Sequence, residues 1–198
     1  MTNTNLKTFM FEKDNLDNIK AVLENGGLIL YPTDTIWGIG CDATNPQAVD
    51  KIYDLKQRDR NKGFIILVDS VEMMKDYVAH IHPRIDTLLL HHVRPLTIIF
   101  DHAKNLPANL VSPDGSIAVR MVLDDFCKDL ISNFGKPLIA TSANIGDEPF
   151  PGNFGEISSA VIEGVDYVFK QRRYEKDAKS PSIIVKAQDD GEFIFIRE

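Results

Sequence analysis

Two short polar clusters, Lys56-Gln57-Arg58 and Ser142-Ala143-Asn144, carry side chains that can bind phosphate. Each cluster lies where an apolar run ends and the backbone is expected to turn. Arginine offers a planar fork to phosphate or carboxylate oxygens, and lysine offers a mobile point charge. A serine hydroxyl and an asparagine amide add neutral hydrogen bonds. Together the clusters predict a phosphate-binding site, provided that the fold brings them close to each other.

Each cluster also has an ordinary structural explanation. The cations Lys56, Arg58, Arg60 and Lys62 fall within seven residues at the end of a predicted helix. Cations there complement the negative end of the helix dipole and need no ligand. Serine and asparagine likewise favour plain turns, because their side chains bond to their own backbone. Neither cluster alone distinguishes a binding site from these alternatives.

A third candidate is the loop over residues 31–40, which leaves a predicted buried strand through a proline. Its glycines allow a ligand to approach the backbone closely. Its threonine hydroxyls can donate hydrogen bonds to a small polar substrate or accept them. The alternative is that Asp34 and the threonines cap backbone amides. Trp37, the only tryptophan in the sequence, belongs to the core or to the wall of an apolar pocket.

The elements that must position these loops follow from the apolar pattern. Strands are predicted over residues 28–31, 64–68, 97–100, 117–121, 138–140, 165–169, 183–185 and 193–196. Helices are predicted around residues 16–23, 46–56, 71–78, 85–90 and 126–131, with a weaker one over 154–162. These strands with interleaved helices predict an α/β fold, a single-domain twisted mixed β-sheet with helices on both faces. Polar loops at strand ends are the usual place for a ligand in such folds.

Composition limits the class of protein. A chain of 198 residues with 43% hydrophobic residues is expected to form one domain over residues 1–198. Its net charge of −7 argues against general affinity for nucleic acid, although a local basic pocket remains open. Two distant cysteines and five scattered histidines show no metal-ligand spacing, so no metal site is predicted. The sequence shows no signal peptide and no membrane span, which predicts a cytoplasmic protein.

Five segments together resemble a known family, the YrdC-type threonylcarbamoyl-AMP synthases in their single-domain form. The resemblance runs from about residue 27 to residue 197, which is nearly the whole chain. Five motifs in a fixed order are far more specific than any one of them. The segments that carry the resemblance are residues 31–40, Lys56-x-Arg58, Ala118-Val119-Arg120, residues 141–144 and residues 180–185.

The resemblance implies a YrdC-like fold and an L-threonylcarbamoyladenylate synthase activity. Such a nucleotidyltransferase forms threonylcarbamoyl-AMP and pyrophosphate from ATP, L-threonine and bicarbonate. A tRNA-modifying transferase then receives the adenylate for N6-threonylcarbamoyladenosine modification at tRNA position 37. Mg²⁺ would enter with ATP, because this ion keeps several waters and needs few protein ligands. The protein could also bind RNA weakly. The alternative function is that of a catalytically inactive or divergent YrdC/YciO-like RNA-binding protein.

The resemblance also implies roles for eight residues of this chain. The catalytic residues, which also bind ATP, would be Lys56, Arg58, Ser142 and Asn144. Two further nucleotide contacts would come from Ser182 and Arg197. The threonine substrate would be contacted by Thr35 and Arg120.

Six loop positions depart from the pattern that is usual in the family. Asp59, Gly63 and Val122 stand at places often held by proline, and Arg94 stands where the family usually has glycine. After Asn144 the usual Ser-Gly pair is replaced by Gly146-Asp147. We therefore expect the loops to differ in shape at these positions.

Overall fold

The computed structural model describes residues 14–176, 180–188 and 190–197. The helices are α1 Leu16–Glu24, α2 Pro46–Lys56, α3 Val71–Tyr77, α4 Pro83–His91, α5 Asp125–Phe134 and α6 Ser159–Glu163. The strands are β1 Ile29–Tyr31, β2 Gly38–Gly40, β3 Ile65–Val68, β4 Leu96–Phe100, β5 Ile117–Met121, β6 Leu138–Ser142, β7 Tyr167–Val168, β8 Ile183–Ala187 and β9 Phe193–Arg197. The single domain over residues 1–198 stays a prediction, because residues 1–13 lie outside the described part.

The nine strands form one sheet in the order β7-β1-β2-β6-β3-β5-β4-β8-β9. Three neighbouring pairs are parallel, namely β1 with β7, β3 with β5 and β4 with β8. The other five pairs are antiparallel. The predicted mixed sheet is therefore confirmed, and strands far apart in sequence lie side by side in it.

Strand β2 was missed by the sequence pattern, which assigned residues 38–40 to a loop. These residues are buried and pair with β1 on one side and with β6 on the other. A Cβ atom at Gly40 would collide with the carbonyl oxygen of Ile139 and with the ring of Tyr31. Glycine is depleted in strands, but here it allows two neighbouring backbones to approach closely.

The predicted helix over residues 154–162 is also corrected. The chain forms a short 3-10 turn at Phe154–Glu156 and then, after Ser158 in an extended conformation, the separate helix α6. The side chain of Asn153 accepts a hydrogen bond from the backbone N–H of Gly155 and so caps the turn. Ile157 and Ser158 both adopt extended conformations and so separate the turn from α6.

Helix α2 positions the first polar cluster. Asn45 caps its start by accepting hydrogen bonds from Gln47 N and Ala48 N, and Pro46 occupies the first helical position. The helix ends at Lys56, because Gln57 adopts a left-handed conformation with φ of 49°. The chain therefore turns at Gln57, between the two cations of the Lys-x-Arg pair, as the sequence predicted for a helix-to-strand loop.

The two faces of the sheet differ in how completely they are covered. Residues paired directly across neighbouring strands have side chains on the same face. Ile66 of β3 and Val119 of β5 form one such pair, and both are fully buried. Ile65 and its partner Ala118 form the adjacent pair on the other face, and both are only partly buried. Helices α1, α3 and α5 pack against the sheet, and the partly open face carries the cavity described below.

Among the described helices, none combines the length and the apolar composition that crossing a membrane requires.

Candidate active site

A cavity of about 390 Å³ lies on the partly open face of the sheet. Ile65, Ala118 and Ile99, which are cross-strand neighbours, contribute to its apolar floor. Six of the eight predicted site residues line the cavity, and they are Thr35, Arg58, Arg120, Ser142, Ser182 and Arg197. The fold thus brings together segments that span most of the described chain.

Lys56 lies behind the cavity wall and is not among the lining residues. Its side chain is almost completely buried. Its Nζ donates to the carbonyl oxygens of Ser142 and Asn144, each at 2.6 Å, and to Asn144 Oδ1 at 3.2 Å. An ammonium group has three donors, and all three are used here. Lys56 therefore holds the segment at residues 142–144 in place from behind.

Asn144 is likewise absent from the cavity lining and completes this support. Its Oδ1 accepts a hydrogen bond from Ser142 Oγ at 2.5 Å, and its Nδ2 donates to the carbonyl oxygen of Glu148 at 2.5 Å. The two predicted clusters thus meet. Ser142 faces the cavity, whereas Lys56 and Asn144 fix its position.

The positive charge of Lys56 has no carboxylate partner among the described residues. Burial, followed by the nearby positive charge of Arg58, lowers the pKa of Lys56 from its usual 10.5 to about 8. The acceptors around Nζ are neutral carbonyl and amide oxygens. They orient the ammonium group without cancelling its charge.

Arg58 faces the cavity directly and is held by the loop that follows it. Its Nε donates to Lys62 O at 2.8 Å, and its Nη2 donates to Gly63 O at 2.9 Å. The guanidinium lies 5.1 Å from the centre of the Phe64 ring, which fixes its plane. A guanidinium has five N–H donors, so others remain available to a ligand.

Arg60 fits the alternative explanation of this cationic segment, in which the cations need no ligand. Its side chain is exposed and pairs with the carboxylates of Asp50 and Asp54 on helix α2. It is not among the residues that line the cavity. The interpretation as a solvated cluster is therefore correct for Arg60, whereas Arg58 turns towards the cavity.

Arg120 of β5 is buried and contacts the loop after β1. Its Nη1 donates to Thr35 Oγ1 at 3.1 Å. Its Nη2 lies 3.2 Å from Asp34 Oδ1, and the side chains of both residues are about 5% exposed. Arg120 Nε is buried without a hydrogen-bond partner among the described residues. The charge of Arg120 is thus largely compensated by Asp34.

Ser182 and Arg197 enter the cavity from the last two strands. The Ser182 hydroxyl is buried and lies 2.8 Å from Thr97 Oγ1 of β4. Arg197 donates to Ser182 O from Nη2 at 2.8 Å and from Nε at 3.2 Å. Burial, followed by the positive charge of Arg120, lowers the pKa of Arg197. Arg197 therefore anchors the segment that presents Ser182.

Several lining residues were not predicted as site residues. Thr33 lies in the loop at residues 31–40, which the sequence predicts as a candidate site, but Thr33 itself is not among the predicted site residues. Ser116 is a buried serine directly before β5, and this placement was a usable signal. Ser112 and the half-exposed Phe150 lie in loops whose local sequence gives no such signal.

Three of the unusual loop positions make specific backbone contacts. Val122 N donates to Val68 O at 3.0 Å, a hydrogen bond that proline could not form. Asp59 Oδ1 accepts from Asn61 N at 2.9 Å and so closes the turn after Arg58. Gly146 N donates to Lys56 O at 2.8 Å, which links the two clusters a second time.

The residues that line the cavity offer hydroxyls and guanidinium groups, and none of them is an aspartate or a glutamate. The described part of the chain also contains no group of three or more His, Cys, Asp or Glu side chains that is suited to a metal ion. The cavity is therefore built to bind anions and small polar molecules.

Comparison with known proteins places this fold and site in a family. The family model for Sua5, YciO and YrdC proteins, described as telomere recombination, matches residues 21–198. The chain therefore belongs to the Sua5/YciO/YrdC family, as the motifs predicted.

Individual relatives make the assignment more specific. The chain is 32% identical over 163 residues to a threonylcarbamoyl-AMP synthase of Photobacterium profundum, with 76% of this chain and 87% of that protein covered. It is 34% identical over 148 residues to a protein of the same name from Pseudoalteromonas translucida, covering 73% and 79% respectively.

Solved structures confirm the fold. E. coli YciO matches with a TM-score of 0.77 at 21% identity, covering 94% of this chain and 92% of that one. P. abyssi Sua5 complexed with L-threonine matches with a TM-score of 0.79 at 21% identity, covering 92% of this chain and 53% of Sua5. The chain thus spans about half the length of that Sua5 protein.

Proposed function

We propose that this protein is an L-threonylcarbamoyladenylate synthase, which converts ATP, L-threonine and bicarbonate to threonylcarbamoyl-AMP and pyrophosphate. The observation that carries the proposal is the single cavity in which Arg58, Ser142 and Arg120 meet. The relatives named threonylcarbamoyl-AMP synthase support the same activity.

The reaction requires no protein nucleophile. The amine of threonine forms a carbamate, whose oxygen attacks the α-phosphorus of ATP and expels pyrophosphate. The protein must neutralise phosphate charge and align the attacking and leaving oxygens. The N–H groups of Arg58 that make no hydrogen bond to the described residues are suited to the phosphates, and Lys56 adds positive charge from behind. The Ser142 hydroxyl donates its proton to Asn144 Oδ1, so it can only accept a hydrogen bond from a substrate.

The region around Arg120 is suited to threonine. Asp34 compensates the charge of Arg120, so this ion pair is close to neutral and suits a zwitterion. Thr35, which carries a hydroxyl, also lines the cavity. The carbamate and the mixed anhydride both react readily with water, so this partly open site must exclude water once the substrates are bound.

Mg²⁺ would arrive as the complex with ATP and would supply charge neutralisation at the phosphates. The lining residues contain no carboxylate, so phosphate oxygens and waters would complete the coordination of the ion.

The adenylate product is a reactive mixed anhydride, so a partner must accept it promptly. We assign this role to a tRNA-modifying transferase that transfers the threonylcarbamoyl group to position 37 of tRNA. Both proteins would act in the cytoplasm.

The alternative, an RNA-binding protein without turnover, is less well supported. Lys56-x-Arg58 and Ser142-x-Asn144 are both present and bond to each other. The net charge of −7 also disfavours a broad RNA surface.

The direct test uses the purified protein with ATP, Mg²⁺, L-threonine and bicarbonate. We expect mass spectrometry to detect threonylcarbamoyl-AMP, with pyrophosphate release that needs both threonine and bicarbonate. Absence of the adenylate would refute the proposal. Tight retention of tRNA that weakens steeply with salt, without ATP turnover, would support the RNA-binding alternative.

A further inference from the structure

The loop after β1 contains two threonine hydroxyls that are hydrogen bonded to each other, those of Thr33 and Thr35. Thr33 and Thr35 are both 3% exposed, and both line the cavity. Thr33 Oγ1 lies 2.7 Å from the carbonyl oxygen of Ile36 and 2.9 Å from Thr35 Oγ1. Thr33 Oγ1 also accepts a hydrogen bond from Thr35 N at 3.1 Å.

The positions of the protons follow from a count of donors and acceptors. A carbonyl oxygen can only accept, so the single proton of the Thr33 hydroxyl is donated to Ile36 O. Thr33 Oγ1 must then accept from Thr35 Oγ1, because it has no second proton to donate. The Thr33 hydroxyl is thereby saturated, with one hydrogen bond donated and two accepted.

The same count leaves one lone pair of the Thr35 hydroxyl oxygen without a hydrogen bond. Its proton is directed to Thr33, and one of its two lone pairs accepts from Arg120 Nη1 at 3.1 Å. Thr35 lines the cavity, so this remaining lone pair is the one that a ligand bound there could use. Towards a ligand, Thr35 can therefore act only as an acceptor.

We infer that Thr33 is a positioning residue, which makes the Thr35 hydroxyl an obligate acceptor for an N–H or O–H group of the amino acid substrate. The inference rests on the proposed function, since it describes how that substrate is read. The threonine carboxylate offers no proton, so it is excluded from Thr35. The donor is the substrate amine or its β-hydroxyl.

The test measures binding of L-threonine by calorimetry to the wild type and to Thr33→Val and Thr33→Ser. In Thr33→Val, the proton of Thr35 loses its acceptor and becomes free to point into the cavity. We expect affinity for threonine to fall about fivefold to tenfold, the effect of one hydrogen bond, while the KM for ATP changes less than twofold. Thr33→Ser restores the hydroxyl and should bind within twofold of the wild type.

Two further variants separate positioning from general structural damage. Thr44→Val removes another partly buried hydroxyl, which bonds to Asp42 away from the cavity, and should leave threonine affinity unchanged. Thr33→Val combined with Thr35→Val should bind no more weakly than Thr35→Val alone, because Thr33 acts only through Thr35. Additive losses would overturn the inference.

Binding of 2-aminobutyrate, which lacks the β-hydroxyl, identifies the donor. An equal loss for both amino acids in Thr33→Val assigns the amine, and a loss confined to threonine assigns the β-hydroxyl. Unchanged threonine affinity in Thr33→Val, or equal weakening in Thr33→Ser, would overturn the inference while adenylate formation still stood. A wild type that neither binds threonine nor forms the adenylate would overturn the proposed function and this inference together.

Discussion

Two of the three arginines that line the cavity, Arg58 and Arg120, are held by different kinds of partner. Arg120 lies 3.2 Å from the carboxylate of Asp34, whereas Arg58 donates to the carbonyl oxygens of Lys62 and Gly63. A carboxylate orients a cation and cancels its charge, while carbonyl oxygens orient it and leave the charge in place. The Arg120–Asp34 pair is therefore close to neutral, whereas Arg58 keeps its positive charge, and these two environments suit the proposed zwitterionic and polyphosphate substrates respectively.

Removing the buried ammonium should have the largest effect on the positive region. In Lys56→Met, the carbonyls of Ser142 and Asn144 lose their donor, so the segment that carries the Ser142 hydroxyl is no longer held. We expect kcat/KM to fall more than a hundredfold and the free energy of unfolding to fall by about 2 kcal/mol. Pyrophosphate release and chemical denaturation measure the two effects.

Lys51→Met is the matched control for that variant. Lys51 lies on the same helix and bonds to a single carbonyl, that of Gly26, away from the cavity. Its replacement should change activity less than twofold. Activity of Lys56→Met within threefold of the wild type would contradict a supporting role for Lys56.

Truncating Arg58 should weaken the binding of ATP without changing the binding of threonine. Arg58→Ala removes a charge-assisted contact worth about 1.5 to 3 kcal/mol, so we expect the KM for ATP to rise about tenfold to a hundredfold. Threonine affinity should stay within twofold. Arg60→Ala, two residues further on, removes an exposed arginine paired to α2 and serves as the control. Equal effects on both substrates would show that the two regions are not independent.

Neutralising Asp34 should weaken the binding of threonine without weakening that of ATP. In Asp34→Asn the charge of Arg120 is uncompensated and repels the substrate's ammonium group, so we expect threonine affinity to fall about tenfold. The KM for ATP should not rise, because no positive charge is lost. Asp42→Asn changes another buried carboxylate, which pairs with Lys136, and controls for lost stability. A rise in the KM for ATP with unchanged threonine affinity would refute the division.

The pH dependence should show the smallest effect and depends on Lys56. Because burial lowers its pKa to about 8, Lys56 loses its proton as pH rises through 8, and the KM for ATP should rise severalfold. The unfolded chain holds this proton up to about pH 10.5, so between pH 8 and 10.5 the unfolded state binds more protons. The contribution of Lys56 to stability therefore rises with pH in that window and is constant below it.

Opposite trends in nucleotide affinity and stability above pH 8 are thus the expected signature of Lys56. Lys56→Met should remove this group's part of both trends, as measured by KM values and denaturation curves from pH 7 to 10. If the rise in the KM for ATP persists in Lys56→Met, another group is responsible for it.

Much of this architecture follows from local sequence. Asn45 and Pro46 mark the start of α2, and the apolar runs identify the buried strands. Strand β2 could not be predicted in this way, because glycine has a low strand preference. Gly40 is needed there because the backbone of Ile139, distant in sequence, leaves no room for a Cβ atom.

The candidate site was likewise predictable only in part from the sequence. The motifs identified residues that do meet at one cavity, but not which of them face it. Lys56 contacts residues 86 and 88 positions later, so the direction of its side chain depends on how α2 packs against β6. The hydroxyl chain through Thr33 depends on the position of Arg120, which belongs to another strand. Roles that depend on such long-range packing need the structure.

The sheet order has a consequence for how the protein matures. Ser182 and Arg197 join the cavity through β8 and β9, which are attached to the rest of the sheet by the pairing of β8 with β4. A folding intermediate without that pairing would have most of the polar groups but an incomplete pocket. Substrates should therefore bind only the finished fold, and ligand at a hundred times its Kd adds about 2.7 kcal/mol to the stability of the native state.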